Sequence, residues 1–238
     1  MTRRRWIADE VSGNRAALVG DHATHLARVL RARVGQEFDI VANAVLRRGT
    51  VSSIDDRRVE FDLGGEIPAQ ANTAQLSVLL AVFKFDRMEW AVEKCTELGV
   101  ARIVPLIARR TDAHLAAASA KRVERWRRIA LQAAEQSRRA TAPEISNPVK
   151  LCDVLGIATK LKIVLSEAEE QIQLRDVRPP TKAEEVLLAI GPEGGWTQDE
   201  LDLFHEEGWL SASLGPTILR TETAAIAATA ILLASLNA

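Results

Sequence analysis

The sequence predicts a two-part chain, in which a small β-rich segment precedes an α/β domain built on a parallel sheet. Three observations lead to this fold class. Short, partly alternating, β-branched runs occupy much of residues 37–63. A turn-rich stretch with little apolar periodicity follows at residues 64–75. Beyond it, apolar strands alternate with amphipathic helices, which is typical of a parallel sheet covered on both faces.

The β-rich segment contains one predicted helix, at residues 21–31, whose apolar positions alternate with arginines. Its predicted strands are 37–42, 49–54 and 58–63. The remainder of the chain predicts five strands and four helices. The strands are 75–83, 103–107, 161–165, 186–190 and 212–214, and the helices are 86–98, 119–139, 197–207 and 221–236. Asp86 with Glu89, and Thr197 with Glu200, have the spacing of capping boxes and so predict where two helices begin.

Composition indicates an ordinary globular protein that can fold without disulfide bonds. The 238 residues are 47% hydrophobic and 26% charged, and a chain of this length buries a sizeable core. Cys95 and Cys152 form no disulfide framework, and the four histidines show no zinc-like pairing with cysteine. The chain shows no signal peptide and no apolar run of the ~20 residues that a membrane span needs. We therefore expect a reduced, cytoplasmic protein with no metal and no membrane contact.

The net charge of −1 hides a segregation of charge along the chain. Residues 1–58 contain 11 arginines against 7 acidic residues, and residues 102–150 contain 11 basic against 4 acidic residues. Residues 151–238 contain 6 basic and 14 acidic residues. The two basic blocks indicate either solvated helix faces or two surfaces that meet a polyanion. Charge alone leaves both interpretations open.

Two segments at predicted strand ends are the strongest candidates for chemistry. Residues 190–197 are glycine-rich, and glycine lets backbone N–H groups approach a ligand closely, although a tight turn would explain them equally well. Their spacing matches neither a phosphate loop nor a dinucleotide fingerprint. In residues 214–225, Thr221 and Glu222 suit a helix N-terminus. Arg220 lacks that explanation and calls for an anion or a polar partner.

Two further strings are basic. Lys84 and Arg87 flank a predicted strand end, and residues 125–139 place several arginines on one helix. Arginines on one helix face follow phosphates well, but each of these strings is equally compatible with a solvated surface.

Together, five strings resemble the ribosomal RNA small subunit methyltransferase E family, which methylates N3 of a uridine in 16S rRNA. Their order and spacing match, and they cover residues 84–224. The strings are Lys84–Glu89, Thr96–Val100, Ala134–Arg138, Gly191–Gly195 and Leu214–Ala224.

The resemblance implies a fold that the residue patterns do not show. Residues 1–72 would form a PUA-like β-barrel that binds RNA. Residues 73–238 would form a SPOUT-type α/β methyltransferase domain, whose parallel sheet carries a C-terminal trefoil knot. A knot runs against the general rule that chains do not thread loops. The resemblance also implies S-adenosylmethionine as cofactor, a homodimer as the working unit, and 16S rRNA in the small ribosomal subunit as partner.

The resemblance further implies which residues hold the cofactor. They belong to the strand end at 165–166, the glycine-rich segment and the segment that leads into the last helix. The expected cofactor-binding residues are Leu165, Ser166, Ile190, Gly191, Pro192, Glu193, Gly194, Gly195, Leu214, Gly215, Ile218, Leu219, Arg220, Thr223 and Ala224.

For catalysis we expect Arg220 to stabilise negative charge on the uracil, and Glu222 to orient Arg220 or to accept the imide proton. Basic residues of both predicted domains would contact the RNA: Arg3, Arg4, Arg5, Arg28, Arg31, Lys84, Arg87, Arg109, Arg110, Arg138 and Arg139. Two alternatives remain open. One is a non-catalytic RNA-binding or ribosome-assembly protein of the same fold, and the other is a SPOUT methyltransferase that acts on another RNA.

Overall fold

The computed structural model describes residues 5–43, 45–67, 75–137, 139–179 and 185–236. The chain divides into two compact units. Unit 1 comprises residues 1–71 together with 134–141, and unit 2 comprises residues 72–133 together with 142–238. The predicted domain boundary between residues 72 and 73 lies outside the described residues. The assignment of residues 134–141 to unit 1 was not predicted from the sequence.

Unit 1 is a six-stranded sheet around its own apolar core. The strands follow the order β1-β4-β5-β6-β3-β2, in which the β1–β4 pair is parallel and the other pairs are antiparallel. Their core includes Trp6, Leu26, Ile40 and Phe61. The helical segment comprises α1, Asp21–Thr24, and a π-helical continuation, His25–Val29. The strands are β1 Arg5–Ile7, β2 Glu10–Ser12, β3 Arg15–Val19, β4 Glu37–Ala42, β5 Val45–Asp55 and β6 Arg58–Glu66.

Unit 2 contains a seven-stranded parallel sheet, which confirms the predicted α/β class. The strands follow the order β10-β8-β7-β12-β11-β13, and β9 pairs with β8. The strands are β7 Leu76–Ala81, β8 Arg102–Ile107, β9 Glu144–Ile145, β10 Val149–Lys150, β11 Leu161–Leu165, β12 Val186–Ile190 and β13 Leu210–Ala212. The helices are α2 Phe85–Leu98, α3 Ala113–Ser119, α4 Val123–Gln136, α5 Gln198–Glu206 and α6 Thr221–Leu236.

The central strands of this sheet are buried on both faces because alternate side chains enter two different cores. Leu76, Val78 and Leu80 of β7 pack into the core that also contains Trp126 of α4, together with residues of α2 and α6. Leu79 and Ala81 pack into the opposite core with Phe204 of α5. Coverage on both faces therefore explains why every residue of β7 and β12 is buried.

Among the predicted elements that differ from the structure are two helices and the last strand of unit 2. Helix α2 begins one residue early, so Lys84 is its N-cap and Asp86 lies inside the first turn instead of capping it. The helix predicted at 119–139 corresponds to α4, Val123–Gln136. Helix α3 precedes it through a 3₁₀ turn and was not predicted; it starts at Asp112, whose side chain accepts hydrogen bonds from the N–H groups of His114 and Leu115. The last strand lies two residues earlier than predicted, at Leu210–Ala212.

The capping box predicted at Thr197 is present. The Thr197 hydroxyl accepts a hydrogen bond from the Glu200 N–H at 3.3 Å, and the Glu200 carboxylate accepts one from the Thr197 N–H at 2.9 Å. We expect Thr197→Ala to lower the free energy of unfolding by about 1 kcal/mol, because it removes the cap of α5. Urea unfolding measures this. Gln198→Ala, at the neighbouring exposed position, is the control, and an equal loss in both variants would contradict the assignment.

Two further properties concern the described ranges as a whole. None of their helices combines the length and apolar character that crossing a bilayer requires. The same residues contain no group of three or more histidine, cysteine or acidic side chains arranged to hold a metal ion.

Candidate functional site

Three neighbouring strands of unit 2 end at the same edge of the sheet. The strands β12, β11 and β13 are adjacent and parallel, and their last residues are Ile190, Leu165 and Ala212. The segments that follow these strands surround one cavity of about 770 Å³. A cavity of this size at the carboxyl ends of parallel strands is suited to a small-molecule ligand or cofactor.

The first wall is the glycine loop, residues 191–195, between β12 and α5. Gly195 has φ +68°, a conformation that L side chains rarely adopt, and its N–H donates to the Pro192 carbonyl at 2.8 Å. A Cβ atom added to Gly195 would lie 2.5 Å from Oε1 of Glu167. The loop backbone therefore approaches the neighbouring wall more closely than another residue would allow.

The glycine loop is held from two sides. The indole Nε1 of Trp196 donates to the Leu165 carbonyl at 3.0 Å, which ties the loop to the end of β11. From outside the cavity, Nη1 of Arg110 donates to the carbonyls of Gly194 at 2.7 Å and Trp196 at 3.1 Å. Arg110, predicted to contact RNA, thus braces the glycine loop.

The second wall is the segment from Leu214 to Ala224, which leads into α6. Gly215 has φ +120°, and an added Cβ would meet no atom within 4 Å. Ile218 is 86% exposed, although it is a large apolar residue. Arg220 is also exposed, and within the described part of the chain its side chain has no hydrogen bond or ion pair. Arg220 is therefore available to an anionic ligand at the cavity.

Arg87 of α2 completes the site from a third direction. Its Nη1 lies 3.6 Å from Oε1 of Glu193 in the glycine loop and 3.6 Å from Oε1 of Glu222 in α6. Glu222 is only 4% exposed, and its Oε2 has no hydrogen-bond partner among the described residues. The expectation that Glu222 orients Arg220 has no support in these contacts, because Glu222 pairs with Arg87.

Most of the residues expected to hold the cofactor line this cavity. Gly194 and Thr223 do not, because Gly194 packs against the Arg110 side chain and Thr223 is exposed on α6. The residues that line it as expected are Leu165, Ser166, Ile190, Gly191, Pro192, Glu193, Gly195, Leu214, Gly215, Ile218, Leu219, Arg220 and Ala224.

Sequence reasoning missed part of the lining. The segment after β11 contributes Glu167, Glu169, Glu170 and Gln173, and the other segments contribute Trp196, Ala212, Ser213, Pro216, Thr217 and Thr221. An acidic run directly after a predicted strand was the available signal for the first of these groups. Arg87 also lines the cavity, although it was predicted to bind RNA.

The remaining basic residues expected to contact RNA have varied surroundings. Lys84 is exposed at the start of α2, and Arg31 is exposed in unit 1. Arg28 pairs with Asp56 at 2.9 Å, and Arg109 pairs with Asp199. Arg5 and Arg139 are partly buried, and burial lowers the pKa of Arg139. Arg3, Arg4 and Arg138 lie outside the described residues.

Comparison with known proteins identifies the family. The profile of the RNA methyltransferase domain matches residues 70–233. A ribosomal RNA small subunit methyltransferase E from Aquifex aeolicus is 30% identical over 227 residues, which cover 95% of this chain and 97% of that relative. The chain belongs to the ribosomal RNA small subunit methyltransferase E family. The resemblance noted from the five strings is thereby confirmed.

Solved structures agree with this membership. A ribosomal RNA small subunit methyltransferase E from Neisseria gonorrhoeae, bound to S-adenosylmethionine, is 28% identical with a TM-score of 0.85 and covers 98% of both chains. A methyltransferase from Legionella pneumophila, in complex with the same cofactor, is 30% identical with a TM-score of 0.84; the match covers 99% of this chain and 98% of that one. The ribosomal RNA small subunit methyltransferase E fold thus extends over both units of the chain.

Proposed function

We propose that this protein uses S-adenosylmethionine to methylate N3 of one uridine in the 16S rRNA of the small ribosomal subunit. The observation that carries the proposal is the single cavity at the ends of β11, β12 and β13. It brings together the glycine loop and the segment around Arg220, which are far apart in sequence. Family membership supplies the ribosomal RNA as substrate.

The residues of the cavity fit this cofactor. Its volume of about 770 Å³ suits a molecule of that size, and Gly195 of the glycine loop lines it without a side chain. S-adenosylmethionine carries a positive sulfonium, and four carboxylates against two guanidinium groups line the cavity, so the lining favours a cation. When bound, the cofactor supplies an electrophilic methyl group. The glycine loop, Leu165, Ser166 and residues 214–219 would hold it.

The chain's own residues then act on the target base. A uracil imide must lose its N3 proton, and the resulting negative charge spreads onto the carbonyl oxygens. Arg220, which is exposed at the cavity and has no partner among the described residues, would stabilise that charge. Glu222, two residues after Arg220, stays the candidate proton acceptor, although its Oε2 is buried and the residue does not line the cavity.

RNA would bind across the basic surfaces of both units. The expected contacts are the arginines and Lys84 named above, except Arg87, which lines the cavity, and Arg110, which holds the glycine loop. We expect affinity for 16S rRNA to fall about 10³-fold between 50 and 200 mM salt if about six phosphates are contacted. Filter binding at several salt concentrations measures the slope. A flat response would contradict the RNA surface despite the family membership.

The finer features of the fold also belong to this proposal. Unit 1 would be a PUA-like barrel, and unit 2 would contain the trefoil knot. Helix α6 follows β13 at the edge of the sheet but packs against α2, β7 and β12 in its centre. A C-terminal knot would require such a return of the chain from the edge to the centre of the sheet. We further propose a homodimer that works in the cytoplasm, where its ribosomal substrate is assembled.

The test uses purified protein, methyl-labelled S-adenosylmethionine, and small ribosomal subunits from cells that lack the activity. We expect label in 16S rRNA, and calorimetry should show cofactor binding by the free protein. Bound cofactor without any transfer would support the non-catalytic alternative. Label in transfer RNA, with none in small subunits, would support a methyltransferase that acts on another RNA.

A further inference from the structure

Arg87 was predicted from the sequence to contact RNA, but in the structure its side chain lines the cavity. Its side chain is 32% exposed, and it lines the cavity from α2 while its Nη1 lies 3.6 Å from carboxylates on two other segments. One carboxylate, Glu193, belongs to the glycine loop. The other, Glu222, belongs to the first turn of α6. Arg87 therefore connects both walls of the cavity electrostatically.

Glu222 depends on this contact more than Glu193 does. The Glu222 side chain is 6% exposed, whereas that of Glu193 is 39% exposed and can be solvated. A buried carboxylate needs a compensating cation, and no other cationic group among the described residues lies within 4.0 Å of Glu222. Because Arg87 approaches Oε1, the contact leaves Oε2 without a partner. The contact with Arg87 thus compensates the charge of Glu222, while Oε2 stays buried without a partner and away from the cavity lining.

We propose that Arg87 is a positioning residue, which pairs with the buried Glu222 and with Glu193 and so sets the glycine loop against the start of α6. The proposal rests on the proposed function, because it assigns Arg87 a task in that reaction. According to the proposal, Arg87 does not belong to the arginines that contact RNA. Loss of its charge should therefore affect cofactor binding and turnover and leave the affinity for RNA unchanged.

The experiment compares Arg87→Gln, Arg87→Lys, Glu222→Gln and the double variant Arg87→Gln/Glu222→Gln. Calorimetry gives the affinity for S-adenosylmethionine, filter binding gives the affinity for 16S rRNA, and steady-state assays give kcat and KM. For Arg87→Gln we expect a roughly tenfold weaker cofactor affinity, a kcat lowered at least tenfold and unchanged RNA affinity. Arg87→Lys should recover most of both losses. The double variant should have the kcat of Glu222→Gln alone, because Arg87 acts on kcat through Glu222.

Arg125→Gln is the matched control. Arg125 lies on α4 and pairs with Glu89, which is on the same helix, α2, as Arg87. The Arg125 side chain is 57% exposed and does not line the cavity. The proposal would be overturned if the kcat losses of the two single variants multiplied in the double variant. It would also be overturned if Arg87→Gln had the same cofactor affinity and kcat as Arg125→Gln. If Arg87→Gln does not fold, the test rests on Arg87→Lys. Weaker RNA binding by Arg87→Lys with an unchanged kcat would show that Arg87 contacts RNA and would overturn the proposal. A wild-type protein that neither binds the cofactor nor transfers methyl would instead refute the proposed function.

Discussion

Arg220→Ala is expected to lower kcat for methyl transfer about 100- to 1,000-fold. The side chain is exposed at the cavity and has no hydrogen bond or ion pair among the described residues, so its removal breaks no contact that holds the fold. The loss arises because a donor aimed at developing charge is worth roughly 3–4 kcal/mol in a site of this kind. Cofactor affinity should change by less than about threefold, since many other residues line the cavity.

The measurement is single-turnover methyl transfer with saturating cofactor, together with calorimetry on each variant. Arg220→Lys should retain more activity than Arg220→Ala but less than the wild type, because it keeps the charge without the planar guanidinium. Arg175→Ala is the control, since Arg175 is a 71% exposed arginine of the same unit that does not line the cavity. Full turnover by Arg220→Ala with normal cofactor binding would remove Arg220 from the catalytic site.

Gly195→Ala is expected to weaken S-adenosylmethionine binding about 10- to 100-fold. Two effects combine at this position. The φ of +68° is strained for any residue with a Cβ, and the new methyl group would lie 2.5 Å from the Glu167 carboxylate. The loop or Glu167 must then move, and both line the cavity. Calorimetry with S-adenosylmethionine measures the change directly.

Gly208→Ala separates backbone strain from damage to the site. Gly208 also has a left-handed conformation, with φ +73°, but an added Cβ there meets nothing within 4 Å. Both variants should lose about 1 kcal/mol of stability from strain alone, whereas only Gly195→Ala should lose cofactor affinity. Equal cofactor binding by the two variants would mean that the close approach at Gly195 is unrelated to the cofactor.

The best-predicted elements are those whose signals are local. The bounds of β11 and β12 are the predicted ones, because each strand is a short run that is apolar throughout or, in β11, apolar except for Lys162. Helix α6 also has its predicted bounds, and α5 begins at its predicted cap, Thr197. By contrast, β1, β2 and β3 were not predicted, since each is short and begins with a charged residue, which leaves too few apolar positions to show a pattern.

The site shows the same division between local and long-range information. The glycine loop and the segment before α6 were found because each is a recognisable string. The contacts of Arg87 with Glu193 and Glu222 were not predicted, since these partners are distant in sequence and meet Arg87 only after the sheet has formed. Arg110 was likewise assigned to RNA because its bonds to the glycine-loop carbonyls depend on the neighbouring strand ends.

The most direct test of the central claim is the identity of the methylated nucleoside. Small subunits from cells that lack the activity are incubated with the protein and labelled S-adenosylmethionine, and the 16S rRNA is digested to nucleosides and analysed by mass spectrometry. We expect one N3-methyluridine per subunit, and at that position a stop to reverse transcription, because the methyl group blocks the pairing edge of the base. Label on another base, or on a ribose, would contradict the account.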